Sequence, residues 1–157
     1  MSALKVGDTI PDFKTIDSEG LEFDIRSVFA TKKWLVLYFY PKDYTPGCTA
    51  QACSLRDEYP NLSALDAEVV GVSSDSIVSH KRFAKSYNLP FRLLSDDDKK
   101  LRNLFGVPTH LMGLLPGRVT YIIDKDLKIR CYINSINWKN HSSQVNDFFK
   151  IQTAFNK

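Results

Sequence analysis

The chain has 157 residues and a mass of 17.9 kDa, and 43% of its residues are hydrophobic, which suits one domain with a sizeable core. Seven glycines and seven prolines exclude collagen-like and low-complexity architectures, and three cysteines are too few for a disulfide framework. The net charge of +3 arises within residues 124–157 without a basic cluster, so we expect no nucleic-acid partner.

Signals for membranes or export are also missing from the sequence pattern. The longest apolar run covers residues 34–40, far short of the roughly 18 residues that a membrane span needs. The first residues lack an apolar segment and include Asp8, which fits neither a secretory signal nor an Arg-rich transit peptide. We therefore expect a single domain over residues 1–157, located in the cytoplasm and without a membrane partner.

The first half of the chain predicts a hairpin followed by a β-α-β unit. Residues 13–17 and 21–25 flank a glycine-containing turn and form the hairpin. Residues 34–40 are almost continuously apolar, which indicates a central strand covered on both faces. A helix over residues 46–59 and a second buried strand over residues 68–73 complete the unit.

The second half predicts alternating helices and strands that end in a hairpin and a helix. The elements are, in order, a helix capped by Ser74 or Asp75 that ends near Tyr87, a strand over residues 91–94, a short helix between the acidic run at residues 96–98 and Gly106, strands over residues 119–124 and 128–134, and a C-terminal helix that buries Val145, Phe148, Phe149 and Phe155. This order predicts an α/β domain with an N-terminal β-hairpin, a central mixed sheet and helices on both faces.

A cysteine lies where the helix after the central strand begins. If Thr45 is the N-cap, Pro46 takes the first helical position and Cys48 lies in the first turn. Backbone N–H groups and the helix dipole favour the thiolate there, which is the nucleophilic form of cysteine. Thr45 could then accept a cap hydrogen bond and donate its own proton toward sulfur or a substrate oxygen. Position alone nevertheless favours a small buried residue over a reactive one.

The second cysteine makes a redox role more plausible. Cys53 follows Cys48 by five residues, which places the two Cα atoms ~8.6 Å apart in a regular helix. A disulfide needs Cα atoms within roughly 7 Å, so none closes inside an intact helix. The spacing of Cys48 and Cys53 argues against a thioredoxin-type CxxC reductase, whose two cysteines lie on one helical turn. It also argues against a zinc site, which would require four ligands arranged in more closely spaced pairs.

Around these cysteines the sequence resembles the peroxiredoxins, specifically the bacterioferritin comigratory protein or peroxiredoxin Q subfamily. The motif that carries the resemblance is Pro41-Lys42, then Thr45-Pro46-Gly47-Cys48-Thr49, then Cys53 and Arg56-Asp57. The similarity extends along most of the chain, to the opening near residues 6–13, the strand at residues 70–73, the turn at residues 94–96 and the segment at residues 118–124. Residues 107–117 depart from the family pattern.

The resemblance implies a thioredoxin-fold peroxidase. Cys48 would be the peroxidatic cysteine, Cys53 the resolving cysteine, and Thr45 and Arg118 the groups that complete the pocket. The remaining pocket residues would be Pro41, which shields Cys48, with Gly47 and Tyr40. No metal, haem, flavin or other cofactor is implied.

Thiolate formation alone cannot supply the rate of such an enzyme. A thiol of ordinary pKa near 8.5 is already about 3% thiolate at pH 7, so full deprotonation gains at most ~30-fold. Enzymes commonly accelerate reactions by at least ~10⁶-fold, so most of the gain must come from donors that meet charge developing on the peroxide oxygens. Arg118, Thr45 and the helix N–H groups are the candidates, although Arg118 in isolation is typical of a surface residue.

The other candidate residues favour structural roles. Cys131 alternates with Ile129 and Ile133 on a predicted strand face and is interpreted as a buried, unreactive thiol. The three histidines are scattered without metal-ligand spacing; His80 is predicted on a helix surface and His141 near a helix N-terminus, while His110 lies in the divergent segment.

The sequence thus predicts a thiol peroxidase for hydrogen peroxide and organic hydroperoxides. It would work through a Cys48 sulfenic acid and a Cys48–Cys53 disulfide, which thioredoxin or a glutaredoxin-like dithiol protein would reduce. We expect a monomer or at most a weak homodimer. The alternatives are a redox-sensing adaptor that uses the same disulfide and a thioredoxin-like binding module with unreactive cysteines.

Overall fold

The computed structural model describes residues 3–110 and 115–155. Within these residues the elements are β1 (Lys14–Ile16), β2 (Glu22–Asp24), α1 (Ile25–Val28), β3 (Trp34–Phe39), α2 (Pro46–Ala64), β4 (Ala67–Ser73), α3 (Ile77–Ser86), β5 (Arg92–Ser95), α4 (Lys100–Phe105), β6 (Thr109–His110), β7 (Leu115–Pro116), β8 (Val119–Asp124), β9 (Ile129–Asn134) and α5 (Trp138–Phe155). Every predicted strand and helix is present, and α1 and the β6–β7 ribbon are additional. None of the described helices has the length and apolar composition needed to cross a membrane.

The apolar strand β3 lies at the centre of a five-stranded sheet, as predicted. The strand order is β5-β4-β3-β8-β9, with β3, β4 and β5 parallel and with β8 antiparallel to both β3 and β9. The sheet is therefore mixed. The register pairs Phe39 at the end of β3 with Val119 at the start of β8, so the chain just before Val119 lies beside the loop that leads into α2.

Alternate side chains of β3 enter two separate cores. Leu35, Leu37 and Phe39 pack with the N-terminal hairpin, α1 and α4, whereas Val36 and Tyr38 pack beneath α2, α3 and α5. This alternation follows from the strand period of 2. It yields helices on both faces of the sheet, as predicted.

Two helix boundaries differ from the sequence prediction. α2 continues past residue 59 to Ala64 although Pro60 lies inside it and deprives one carbonyl of its helical hydrogen bond. The buried side chain of Leu62 holds this last part against the core. α3 is capped by Ser76, which accepts from the Ser79 N–H at 3.1 Å. The prediction of Ser74 or Asp75 as the cap is therefore wrong.

The predicted role of the acidic run at α4 is confirmed. The carboxylate of Asp96 accepts hydrogen bonds from the backbone N–H groups of Leu101 at 2.7 Å and Arg102 at 2.9 Å. Gly106 ends the helix with a φ of 64°, in the left-handed region that favours glycine.

Two predictions about buried faces are wrong. In α5, Val145 and Phe149 are buried, but Phe155 is 82% exposed because it lies about 240° around the helix from Phe149. In β9, Cys131 packs in the core beneath α5, whereas Ile129 packs in the opposite core. A register shift, which pairs Cys131 and Ile129 with successive residues of β8, breaks the alternation there.

Candidate active site

Cys48 lies in the first turn of α2, directly after the loop that follows β3. Its side chain is only 1% exposed, and the Thr49 N–H donates to the Thr45 carbonyl at 2.8 Å as the first turn closes. Thr45 has the extended backbone of an N-cap and Pro46 begins the helix, as predicted. The sequence therefore places the sulfur at the positive end of a long helix.

The hydroxyl of Thr45 makes a different bond from the one predicted. It donates to the Lys42 carbonyl at 2.8 Å and provides no side-chain cap for α2. The preceding loop supplies this acceptor, so the hydroxyl proton is engaged by the Lys42 carbonyl. A role of Thr45 toward substrate stays a prediction.

Arg118 is buried beside the sulfur instead of lying on the surface, where its sequence context in isolation would place it. It is 8% exposed, and its Nη2 donates to Cys48 Sγ at 3.3 Å. Nη1 donates to Gln51 Oε1 at 2.6 Å and Nε to the Ile136 carbonyl at 3.0 Å. These partners fix the plane of the guanidinium beside the Cys48 sulfur.

The helix residues around Cys48 are shaped to admit this guanidinium. A Cβ at position 47 would lie 3.1 Å from Arg118 Nη2, so Gly47 leaves the space that Arg118 occupies. Gln51 is 1% exposed, and its Nε2 has no hydrogen-bond partner among the residues that the structure describes. Sequence reasoning missed Gln51, although its position three residues after Cys48 places both on the same helix face.

Tyr40 and Pro41, which are also predicted to line the pocket, occupy different environments. Pro41 is half-buried, and Tyr40 is 1% exposed. The Tyr40 hydroxyl donates to Asp43 Oδ1 at 2.5 Å, and burial raises the pKa of Tyr40 well above its ordinary value. The pocket roles of both residues stay predictions.

The three cysteines are all free thiols. Cys48 and Cys53 lie on the same uninterrupted helix, and Cys53 is half-buried, so no disulfide joins them in this state. Burial raises the pKa of Cys131, which favours its protonated, less nucleophilic form.

His80 is fully buried, so its predicted surface position is wrong. Its Nδ1 lies 2.7 Å from Asp43 Oδ2, and its Nε2 lies 3.0 Å from the Leu94 carbonyl. Side chains of Asp43, Asp75 and His80 come together closely enough to hold a cation. Asp43 and Asp75 already accept hydrogen bonds from neighbouring serine, tyrosine and backbone donors, so we assign no metal site here.

His141 lies in the first turn of α5, near the predicted helix N-terminus, and braces the segment that contacts Arg118. Its Nε2 lies 2.8 Å from the Ser135 carbonyl and its Nδ1 lies 2.7 Å from Thr120 Oγ1. Because a carbonyl only accepts, Nε2 carries the proton and Nδ1 accepts from the threonine hydroxyl. Burial lowers the pKa of His141, and the nearby Arg118 charge lowers it further.

Comparison with known proteins identifies the family. Residues 6–132 match the AhpC/TSA family. The chain belongs to this family. Residues 111–114, inside the divergent segment at residues 107–117, lie outside the described part of the chain.

Curated relatives within the family are similar over most of this chain. The peroxiredoxin Q of Sedum lineare is 50% identical over 129 residues, covering 82% of this chain and 68% of that protein. The peroxiredoxin Q of Arabidopsis thaliana is 43% identical over 145 residues, covering 92% of this chain and 66% of that protein. For the relative from Triticum aestivum, the match spans only 54% of its length. The resemblance to peroxiredoxin Q is confirmed, while the names of these three relatives describe chloroplastic proteins.

Solved structures agree with this family and confirm the thioredoxin fold. A cysteine-to-serine mutant of PrxQ from Xylella fastidiosa superposes with a TM-score of 0.87 at 28% identity, covering 98% of this chain and 99% of that one. Peroxidoxin BcpB from Mycobacterium tuberculosis gives a TM-score of 0.83 at 33% identity, covering 90% of this chain and 93% of that one.

Proposed function

We propose that this chain is a thiol-dependent peroxidase that reduces hydrogen peroxide and organic hydroperoxides with Cys48. The observation that carries the proposal is the hydrogen bond from Arg118 Nη2 to Cys48 Sγ at 3.3 Å, at the start of α2. A guanidinium and a helix N-terminus converge on one buried sulfur. Both can stabilise the negative charge that develops on the leaving oxygen during the reaction.

In the first step the Cys48 thiolate attacks the terminal oxygen of the hydroperoxide. A sulfur–oxygen bond forms while the oxygen–oxygen bond breaks, so sulfur loses an electron pair and becomes a sulfenic acid. The leaving alkoxide or hydroxide takes a proton to become alcohol or water. Arg118 and the free N–H groups of the first turn of α2 are the donors that lie nearest to this developing charge.

In the second step Cys53 resolves the sulfenic acid. Its thiolate attacks Cys48 Sγ, a sulfur–sulfur bond forms, and the hydroxyl group leaves as water once protonated. A dithiol protein, thioredoxin or a glutaredoxin-like reductant, then returns an electron pair and the protons through a mixed disulfide. Parallel assays with the two reductants decide between them. The cytoplasmic location, the single domain and the monomeric or weakly dimeric state stay predictions.

Peroxide consumption by cysteine variants tests the assignment. Cys48→Ser is expected to abolish consumption because serine cannot form the sulfenic acid, whereas Cys131→Ser is expected to keep it. Wild-type turnover by Cys48→Ser would refute the role of Cys48. Stopped-flow mixing separates the alternatives, because an adaptor would oxidise slowly and once, and a binding module with unreactive cysteines would not oxidise.

A further inference from the structure

One buried carboxylate, that of Asp43, anchors the loop between β3 and α2 through hydrogen bonds. Asp43 lies in the middle of this loop and is 4% exposed. Its Oδ1 accepts from the Tyr40 hydroxyl at 2.5 Å, and its Oδ2 accepts from Ser79 Oγ at 2.8 Å and lies 2.7 Å from His80 Nδ1. The side chain therefore joins the end of β3 to the first turn of α3.

His80 connects this carboxylate to β5, an edge strand of the five-stranded sheet. Its Nε2 faces the Leu94 carbonyl on β5 and must carry a hydrogen, because a carbonyl can only accept. Its Nδ1 lies 2.7 Å from Asp43 Oδ2, and a hydrogen between these two atoms makes the second hydrogen bond of the imidazole. The imidazole is thus a rigid spacer between the loop and the sheet, with a hydrogen bond at each end.

The backbone of the loop is fixed as well. The Asp43 N–H donates to Asp75 Oδ2 at 2.9 Å, and the same oxygen accepts from Ser73 Oγ at 2.6 Å. Both groups of Asp43, its amide and its carboxylate, are therefore tied to β4, α3 and β5. Burial of a carboxylate is costly unless hydrogen bonds satisfy it, so these partners together favour the observed position of the loop.

We propose that Asp43 is a positioning residue for the peroxide step, and that His80 and Ser79 hold it. The proposal rests on the function proposed above. Asp43 is the central residue of the loop at residues 41–45, whose ends are Pro41 and Thr45, and Cys48 follows one helical turn later. The buried network keeps these groups in register with the Cys48 sulfur and with Arg118, so it sets the geometry into which a peroxide must fit.

Asp43→Asn tests the proposal with little change in side-chain size. Its amide keeps one acceptor oxygen but puts an NH2 donor in place of the other, facing either Tyr40 or Ser79 and His80, so the loop should shift. We expect the rate of Cys48 oxidation by hydrogen peroxide to fall by about 10- to 100-fold, as small misplacements of reacting groups cause. Alkylation of Cys48 by iodoacetamide, measured by peptide mass spectrometry, should change by less than about 2-fold because alkylation needs the same sulfur but no donors aligned on peroxide oxygens.

Two further variants keep the test decisive. Ser79→Ala removes one hydrogen bond from Asp43 and leaves a helix-compatible residue, so it should fold and slow the peroxide step by about 2- to 10-fold. Asp17→Asn is the matched control, since Asp17 is also buried but accepts from backbone N–H groups in the hairpin turn. It should leave the peroxide rate unchanged.

The outcomes separate this proposal from the function on which it rests. Wild-type peroxide rates in both Asp43→Asn and Ser79→Ala would overturn the positioning role. An equal loss of peroxide reaction and alkylation would also overturn it, because that pattern indicates general loss of structure. A wild-type protein that does not react with peroxide would instead refute the proposed peroxidase function.

Discussion

Each nitrogen of the Arg118 guanidinium donates to a different acceptor, so some bonds orient the side chain while another contacts Cys48. Nε donates to the Ile136 carbonyl and Nη1 donates to Gln51 Oε1, and these two bonds fix the orientation of the guanidinium group. Nη2 points at the Cys48 sulfur. A peroxide oxygen bound beside the sulfur, as proposed above, would therefore meet a donor whose orientation is set before the reaction begins.

Arg118→Ala should slow peroxide attack by well over the ~30-fold that complete loss of thiolate activation could explain. The reason is that Arg118 would stabilise the charge on the peroxide oxygens as well as the thiolate. Stopped-flow oxidation gives the rate, and thiolate absorbance measured on the same samples gives the ionised fraction. If the change in thiolate fraction accounts for the whole loss, Arg118 does not contact the substrate.

At the scale of the element, the first turns of α2 combine reactive chemistry with weak local support. Thr45 provides no side-chain cap, and no acidic residue lies in the first turn. Within residues 3–110 and 115–155 the buried Nε2 of Gln51 has no hydrogen-bond partner, which disfavours the folded helix locally. The start of α2 is therefore well placed to unwind when the two cysteines must approach one another.

Oxidation should melt part of α2, because helical Cα atoms ~8.6 Å apart exceed the disulfide limit near 7 Å. Unwinding one or two turns costs several hydrogen bonds of about 1 kcal/mol each, which a disulfide in a short loop can offset. Hydrogen exchange should show lower protection of residues 46–56 in the oxidised protein. α5 should keep its protection and is the internal control.

Cys53→Ser should stop at the sulfenic acid and overoxidise with excess peroxide, since no resolving thiol remains. Mass spectrometry of the peptide that contains Cys48 follows both products. Equal protection of residues 46–56 in the two redox states, or a disulfide mapped between Cys48 and Cys131, would show that Cys53 is only a helix thiol.

At the scale of the whole molecule, His141 joins α5 to the segment that contacts Arg118. Its lowered pKa means that the unfolded chain binds a proton more readily than the folded chain between the ordinary value of 6.5 and the folded value. The free energy of unfolding should therefore decrease as the pH falls through this window. One group contributes at most about 1.4 kcal/mol per pH unit there.

Urea denaturation at several pH values from 8 to 5 gives the free energy of unfolding of the wild type and of His141→Gln, whose glutamine side chain does not titrate. The difference in stability between wild type and variant should shrink on acidification, because only the wild type must exclude a proton from this buried site. Parallel pH profiles for the two proteins would contradict the role assigned to His141.

Local patterns were sufficient for much of the fold and for the position of Cys48 in the first turn of α2. The continuous apolar run became β3, the acidic run capped α4, and the Thr45-Pro46 pair began the helix of Cys48. Long-range partners could not be read in the same way. The local context of His80 predicts a surface position, and only the family resemblance placed Arg118 in the pocket. Both are buried because their hydrogen-bond partners lie on distant parts of the chain.

The sequence by itself determined the order of the elements, the family and the place of Cys48, since these depend on residues close together in the chain. Only the tertiary structure decided what surrounds the sulfur. The pairing of β3 with β8 brings Arg118 to Cys48, and a register shift in β9 turns Cys131 away from the face of Ile129. Such contacts depend on strand register and packing between distant segments, which no local pattern specifies.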